Sequence, residues 1–300
     1  MRSRRWTAGG HPAGRSEWEG RDAARRRGGA GGGARLRPHG DDHTLAADGP
    51  AGAGVTDGLV RATAGTGYVH LELHEPARRN PLSDAMLAAL REALVRVDPG
   101  VNTVIVSGAG EAFSAGADLT ELTGTVADLG VDEAIAETLA LLRRTPALTV
   151  AAVDGPCMGG AVDLAVSCDL VVAGETSAFA VPATRLGILY NPAAVAHWHR
   201  RLPRQTLVRL LLAGDRLDAR QAYDGGLVGQ LVPAGRAVAT ATALAERQAG
   251  ASPAVVAAVK GLLVDLDEGD VDLSRWHEVR ERLLAAPDRV AALRAVRERR

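Results

Sequence analysis

The chain has 300 residues, enough for one large domain or two modest ones. It is 46% hydrophobic but only 3% aromatic, so a sizeable core is affordable and Ala, Val and Leu must build it. A net charge of -1, from 35 basic and 36 acidic residues, argues against nucleic acid or a membrane surface as the main partner.

Residues 1–54 carry Arg25-Arg26-Arg27, glycine clusters from Gly28 to Gly33 and no periodic apolar pattern. Such a segment cannot bury enough surface to offset its chain entropy and is expected to be a disordered tail. Its arginines could alternatively touch RNA or a membrane. They are not followed by an apolar stretch, so a secretory signal is not expected. No apolar run in the chain reaches the roughly 18 residues of a membrane span.

From Val55 the pattern becomes regular. Leu59–Arg61 and Tyr68–Leu73 predict a hairpin around Gly65-Thr66-Gly67. Ser83 and Asp84 open a helix through Met86, Leu87, Leu90 and Leu94, ended by Asp98-Pro99-Gly100. Thr103–Ser107 reads as a buried strand, Val131–Arg144 as a helix, and Thr149–Val153 and Leu170–Ala173 as further strands. After residue 190 helices dominate: Arg204–Ala213, Asp218–Tyr223, Arg236–Gln248, Pro253–Leu266, Ser274–Leu284 and Arg289–Glu298, with Val228–Val232 the one strand candidate. The expectation is an α/β core over 55–234 with stacked parallel strands, then a helical region over 235–300. Cys157 and Cys168 are not spaced as C-x-x-C and no His cluster accompanies them. They read as buried hydrophobes of a cytoplasmic protein, and no metal site is expected.

Two strand-to-helix junctions stand out, each readable alone as tight packing. One is Phe113-Ser114-Ala115-Gly116-Ala117-Asp118-Leu119; the other is Gly155-Pro156-Cys157-Met158-Gly159-Gly160-Ala161-Val162-Asp163. Small residues let a ligand approach the backbone, and the first N–H groups of a helix lack internal partners. Two such turns facing each other would make a two-donor oxyanion hole. Neither is a dinucleotide fingerprint, a P-loop or a nucleophile elbow.

With Glu75–Ser83, Ala152–Asp169, Leu212–Arg216 and Ala222–Val228, these turns resemble the crotonase (enoyl-CoA hydratase/isomerase) superfamily over about residues 58–298. The resemblance implies an α/β fold, a crotonase-like ββα superhelix core with a helical C-terminal trimerisation region, assembled as a homotrimer or hexamer. It implies an acyl-CoA substrate and no cofactor beyond the coenzyme A that the substrate carries. The thioester oxygen would lie between the N–H groups of Ala117 and Gly160. Coenzyme A would lie near Arg78, Arg79, Asn80, Ala115 and Asp118. Arg78 and Arg79 read alternatively as solvated loop charges, and Asp118 as a cap on the following helix.

The chain departs from the hydratase pattern at both acid–base positions. The first glutamate is replaced by Asp163, read either as a shortened base or as a helix N-terminal charge. The second, in a P-E dipeptide, is replaced by Ala183, which carries no proton. Gly187-Ile188-Leu189-Tyr190-Asn191-Pro192 resembles a segment of methylmalonyl-CoA decarboxylase-like members. There Tyr190 and Asn191 would orient a substrate carboxylate; their alternatives are loop packing and a turn. Decarboxylation of a malonyl-type CoA, hydration or lyase chemistry through Asp163, and non-catalytic CoA binding all remain open. His197 and His199 point different ways on a helix, Trp198 reads as packing, and His70 and His74 as surface residues.

Overall fold

The computed structural model describes residues 58–269 and 271–298, so the expected tail over 1–54 lies outside the described residues. Strands β1 (Val60–Gly65) and β2 (Tyr68–Leu73) form the expected antiparallel hairpin, with Val60 opposite Leu73. Helix α1 (Asp84–Val95) starts where Ser83 accepts the Met86 N–H, and its Met86, Leu87, Leu90 and Leu94 face is buried. Next come β3 (Thr103–Gly108), α2 (Leu129–Arg144), β4 (Leu148–Val153), β5 (Pro156–Met158), α3 (Gly160–Ser167), β6 (Leu170–Gly174) and β7 (Ala178–Ala180). The rest comprises α4 (Pro192–Arg201), α5 (Arg204–Leu207), β8 (Arg216–Asp218), α6 (Ala219–Asp224), β9 (Gln230–Val232), α7 (Ala237–Gln248), α8 (Pro253–Glu268), α9 (Leu273–Ala285) and α10 (Pro287–Glu298).

Six strands form one sheet in the order β1-β2-β3-β4-β6-β9, parallel except for the β1–β2 hairpin. Its central strands are covered on both faces, which is why they read as unbroken apolar runs. Val104, Val106, Ala151 and Val153 pack with the buried faces of α1, α2 and α3. Ile105, Val150, Ala152 and Val172 point the other way and meet Ala237, Ala241 and Ala245, one small residue per turn of α7. Helix α8 is fastened to the core through Lys260. Its buried Nζ donates to Ala147 O at 2.9 Å and pairs with Asp169 Oδ2 at 2.8 Å.

A second sheet joins β5, β7 and β8, none of which the periodicity had indicated. Each has three residues, too few to show alternation. The helix expected over Arg204–Ala213 begins as α5, widens into a π-helical turn at Val208–Ala213 and stops at Gly214, whose φ is 64°. His70, expected at the surface, is half-buried. Its Nε2 lies 2.7 Å from Ser107 Oγ, and burial lowers its pKa. Both cysteines are free and buried.

A candidate oxyanion site between two turns

The two glycine turns are built against each other by backbone pairing. Phe113 and Ser114 N–H groups donate to Pro156 O at 3.0 and 3.3 Å, and Met158 N–H returns a bond to Ser114 O at 3.1 Å. On the far side, Ala115 N–H donates to Arg79 O and Leu82 N–H to Gly116 O, both at 2.8 Å. The segment 113–117 is therefore held between 79–82 and β5. Gly116 has φ 85°, and a Cβ there would collide with the Met158 carbonyl, so this crossing requires glycine. A Cβ on Gly160 would stand 3.7 Å from Ala117 N, which makes the two amides neighbours. Neither N–H donates an intramolecular hydrogen bond among the described residues. Two such donors, fixed before any ligand arrives, suit an oxygen on which negative charge develops.

Only the second turn opens a helix. Gly159, at φ 54°, precedes α3, so the Gly160 N–H carries the positive end of that helix. The first turn was expected to open one too, but Ala117 pairs with Leu82 as extended backbone and irregular chain follows until Val126. Asp118 accordingly caps no helix. Its carboxylate accepts the Thr120 N–H at 3.0 Å and hydroxyl at 2.7 Å, and the Arg78 guanidinium at 2.6 Å. The Thr120 hydroxyl, and then Arg78, hold its pKa below the usual carboxylate value.

The five residues expected near coenzyme A divide into two kinds. Arg78, Arg79 and Ala115 are exposed. Asn80 and Asp118 are buried, and their polar atoms are already engaged. Asn80 Nδ2 donates to the carbonyls of Ala109, Ala112 and Phe113 at 2.9, 2.9 and 3.3 Å, and its Oδ1 accepts the Glu75 N–H at 2.9 Å. With Arg79 and Asn80 both at positive φ, this amide stitches the 75–80 loop to the 109–113 turn. The sequence offers only the R-N-x-L-S spelling as a sign of that work.

The candidate acid–base residues lie on α3 and in the loop before α4. Asp163 is 4% exposed, one turn into α3, and its Oδ1 accepts the Trp198 Nε1–H at 2.7 Å. Burial raises its pKa to about 6, against the lowering effects of Trp198 and Arg143. Tyr190 donates its hydroxyl to Gly159 O at 3.3 Å, next to the candidate oxyanion amide of Gly160. Its ring lies 5.2 Å from that of Trp198, tilted by 46°. Burial, with Asp163 and Asp132 nearby, pushes the phenol well above its usual value. Asn191 caps α4 through Oδ1, which accepts the Ala193 and Ala194 N–H groups, and its Nδ2 donates to Asp132 Oδ2 at 2.8 Å. Its amide thus anchors the Tyr190 loop to α2. Ala183 is buried and opens a 3-10 turn, with no carboxylate in the place the resemblance assigns to one. Sequence reasoning passed over Asp132 and read Trp198 as packing alone; nothing in their spacing marks them.

The enoyl-CoA hydratase/isomerase family model matches residues 63–287, well over half of the chain. The chain belongs to this family. A Thermus thermophilus protein, named provisionally as an enoyl-CoA hydratase, is 39% identical over 202 residues, covering 65% of this chain and 79% of that protein. The 2,3-dehydroadipyl-CoA hydratase of Escherichia coli is 31% identical over 195 residues, covering 64% and 76%. Among solved structures, an enoyl-CoA hydratase/carnithine racemase from Magnetospirillum magneticum superposes with a TM-score of 0.77 at 26% identity, over 82% of this chain and 94% of that one. The fold is thus the crotonase-like α/β fold, helical C-terminal region included, and the family is one of enzymes acting on CoA thioesters.

Proposed function

We propose that the protein stabilises a thioester enolate between the N–H groups of Ala117 and Gly160, and that its reaction is decarboxylation of a malonyl-type CoA. The observation that carries this reading is the acid–base inventory. Ala183 occupies the place of the second glutamate, and the one carboxylate on α3, Asp163, is shielded and bonded to an indole. The glutamate pair that activates a water in the hydratase pattern is then missing, whereas losing carbon dioxide needs no base. The bond from Cα to the carboxylate carbon breaks, its electron pair moves into the enolate, and carbon dioxide departs. The Cα then takes a proton from Asp163, protonated below about pH 6, or from the Tyr190 hydroxyl. A neutral Asp163 also avoids repelling the substrate carboxylate.

Arg78 and Arg79 serve the coenzyme A phosphates, Ala115 lines the coenzyme A channel, and Asn80 and Asp118 hold the loops that form it. No cofactor beyond the substrate's coenzyme A takes part. The working form is a homotrimer or hexamer in the cytoplasm. An exposed stripe on α8, Val255, Val259, Leu263 and Leu266, supports self-association.

Hydration or lyase chemistry with Asp163 as the acting base is the second reading, favoured by the hydratase names of the relatives. Malonyl-CoA, methylmalonyl-CoA and crotonyl-CoA presented to the same enzyme separate the two. The expected outcome is release of carbon dioxide, with kcat falling as pH rises through about 6. Faster hydration of crotonyl-CoA, with kcat rising through the same pH, would reverse the assignment. Turnover of none of the three would leave acyl-CoA binding alone.

A further inference from the structure

Trp198 is completely buried on α4, and its two polar and aromatic features are spent on different partners. Its Nε1–H is directed at Asp163 Oδ1, 2.7 Å away. Its ring meets the ring of Tyr190, whose hydroxyl reaches Gly159 O beside the oxyanion turn. One side chain from one helix therefore touches both groups that could move a proton at this site. An indole is a donor only, so it can bond an aspartate in either protonation state but favours the ionised one.

We infer that Trp198 is a positioning residue for the proton-handling pair, fixing the Asp163 carboxyl through its N–H and the Tyr190 ring through its face. This rests on the reading of Asp163 and Tyr190 as the groups that deliver the proton. The geometry gives a reason for the shortened side chain at 163. A glutamate would push its carboxyl one methylene further from α3, into the space where the indole edge now lies. The pairing of Asp163 with Trp198 is therefore a matched length, and Tyr190 is the third side of the same packing unit. The groups facing Asp163 from the neighbouring elements are Arg143 and Asp132 on α2, Trp198 on α4 and Tyr190 on the loop before α4, with the Cys157 thiol of β5 also near the Tyr190 hydroxyl. Of these, Trp198 donates the direct hydrogen bond to the carboxylate.

The test compares Trp198→Phe with Trp276→Phe. Trp276, on α9, makes a similar bond, Nε1–H to Asp265 Oδ2 at 2.9 Å, far from the two turns in the chain, so its loss controls for indole removal. The substrate is whichever of malonyl-CoA, methylmalonyl-CoA or crotonyl-CoA the wild type turns over. The expected result for Trp198→Phe is a plateau kcat lowered about tenfold or more, a KM within about twofold, and a pH–kcat midpoint about one pH unit higher. The upward direction follows because the lost donor had favoured the ionised carboxylate. Trp276→Phe should change none of these. An unchanged midpoint and plateau in Trp198→Phe would overturn the inference. If that variant misfolds, an isostere of Trp198 with sulfur in place of the N–H keeps the packing and asks the same question. Asp163→Asn separates the two levels. Full activity in it defeats the proton-handling reading itself, whereas an inactive Asp163→Asn beside a wild-type-like Trp198→Phe defeats the positioning role alone.

Discussion

Replacing Asp163 with Asn should make the protein more stable and less active, and the stability gain should depend on pH in a calculable way. Burial raises the Asp163 pKa from 3.8 to about 6, so the folded protein binds this proton more tightly than the unfolded chain. The stabilisation from that proton is complete below about pH 3.8 and is lost as pH rises through about 6. Above that, the folded state bears the whole cost of an ionised, buried carboxylate. A rise of about two pH units corresponds to about 3 kcal/mol. Asn has the same shape and can still accept the Trp198 N–H through Oδ1, but it never ionises. Asp163→Asn should therefore gain about 3 kcal/mol over wild type at pH 8 and about half of that at pH 5. At roughly 2–4 °C per kcal/mol for a domain of this size, the melting temperature at pH 8 should rise by about 6–12 °C. Thermal melts of both proteins at pH 5 and pH 8 measure it. A gap that does not widen with pH, or a variant less stable than wild type at pH 8, would refute the reasoning. Turnover should meanwhile fall about 10²-fold or more, the size of effect expected of a lost general acid or base. Stability traded for activity at one residue is the mark of a carboxyl retained for its proton.

Four further substitutions probe the scaffold. Gly160→Ala should lower kcat about 10²-fold or more while shifting the melting temperature little, because the new Cβ meets only Ile135 Cδ1 at 3.3 Å and Leu82 Cδ1 at 3.5 Å but stands beside the Ala117 amide. Gly116→Ala, which forces a side chain onto positive φ and into the Met158 carbonyl, should instead lower soluble expression and melting temperature together. Asn80→Ala strands three carbonyls and the Glu75 N–H, and should cost about 3 kcal/mol or more by chemical denaturation. Lys260→Met leaves Asp169 without its ion pair and should cost about 3 kcal/mol, with Asp169→Asn recovering much of that loss in the double variant.

The parts of the fold that were legible in the sequence are those whose chemistry repeats. Strands β3, β4 and β6 announced themselves because both faces are buried, and α1 because its cap and its apolar stripe coincide. The small strands β5, β7 and β8 were illegible, since three residues carry no period. At the site, Gly116 and Gly160 were readable because only small residues allow the approach. The loop after Asp118 was misread as a helix start, since Asp followed by Leu spells a cap as readily as the turn onto Thr120 that it makes. Trp198 was legible as a buried packing residue, but its bond to Asp163 was not. Its role depends on α3 and α4 meeting, and no spacing within α4 reports that contact.

The same division explains why the family was easier to read than the reaction. The candidate oxyanion amides belong to backbone, held by the 113–114 pairing with β5 and by the 79–82 strap, and their placement is fixed by glycines and by turn geometry. The backbone pairing that holds the turns uses no side chain of 163 or 183, and residue 190 reaches it only through the Tyr190 hydroxyl on Gly159 O. The proposed proton chemistry rests on those side chains and on Trp198 of α4, which bonds Asp163 and packs on Tyr190. A carboxylate at 183 would restore the hydratase inventory without touching the backbone cradle. Ala183→Glu is thus the informative change of reaction. It would place a charged group at a buried position in a chain whose α3 carboxyl, Asp163, already has its pKa raised to about 6 by burial. A carboxylate there that reaches Asp163 would share a proton with it before both ionised, which is the arrangement water addition needs.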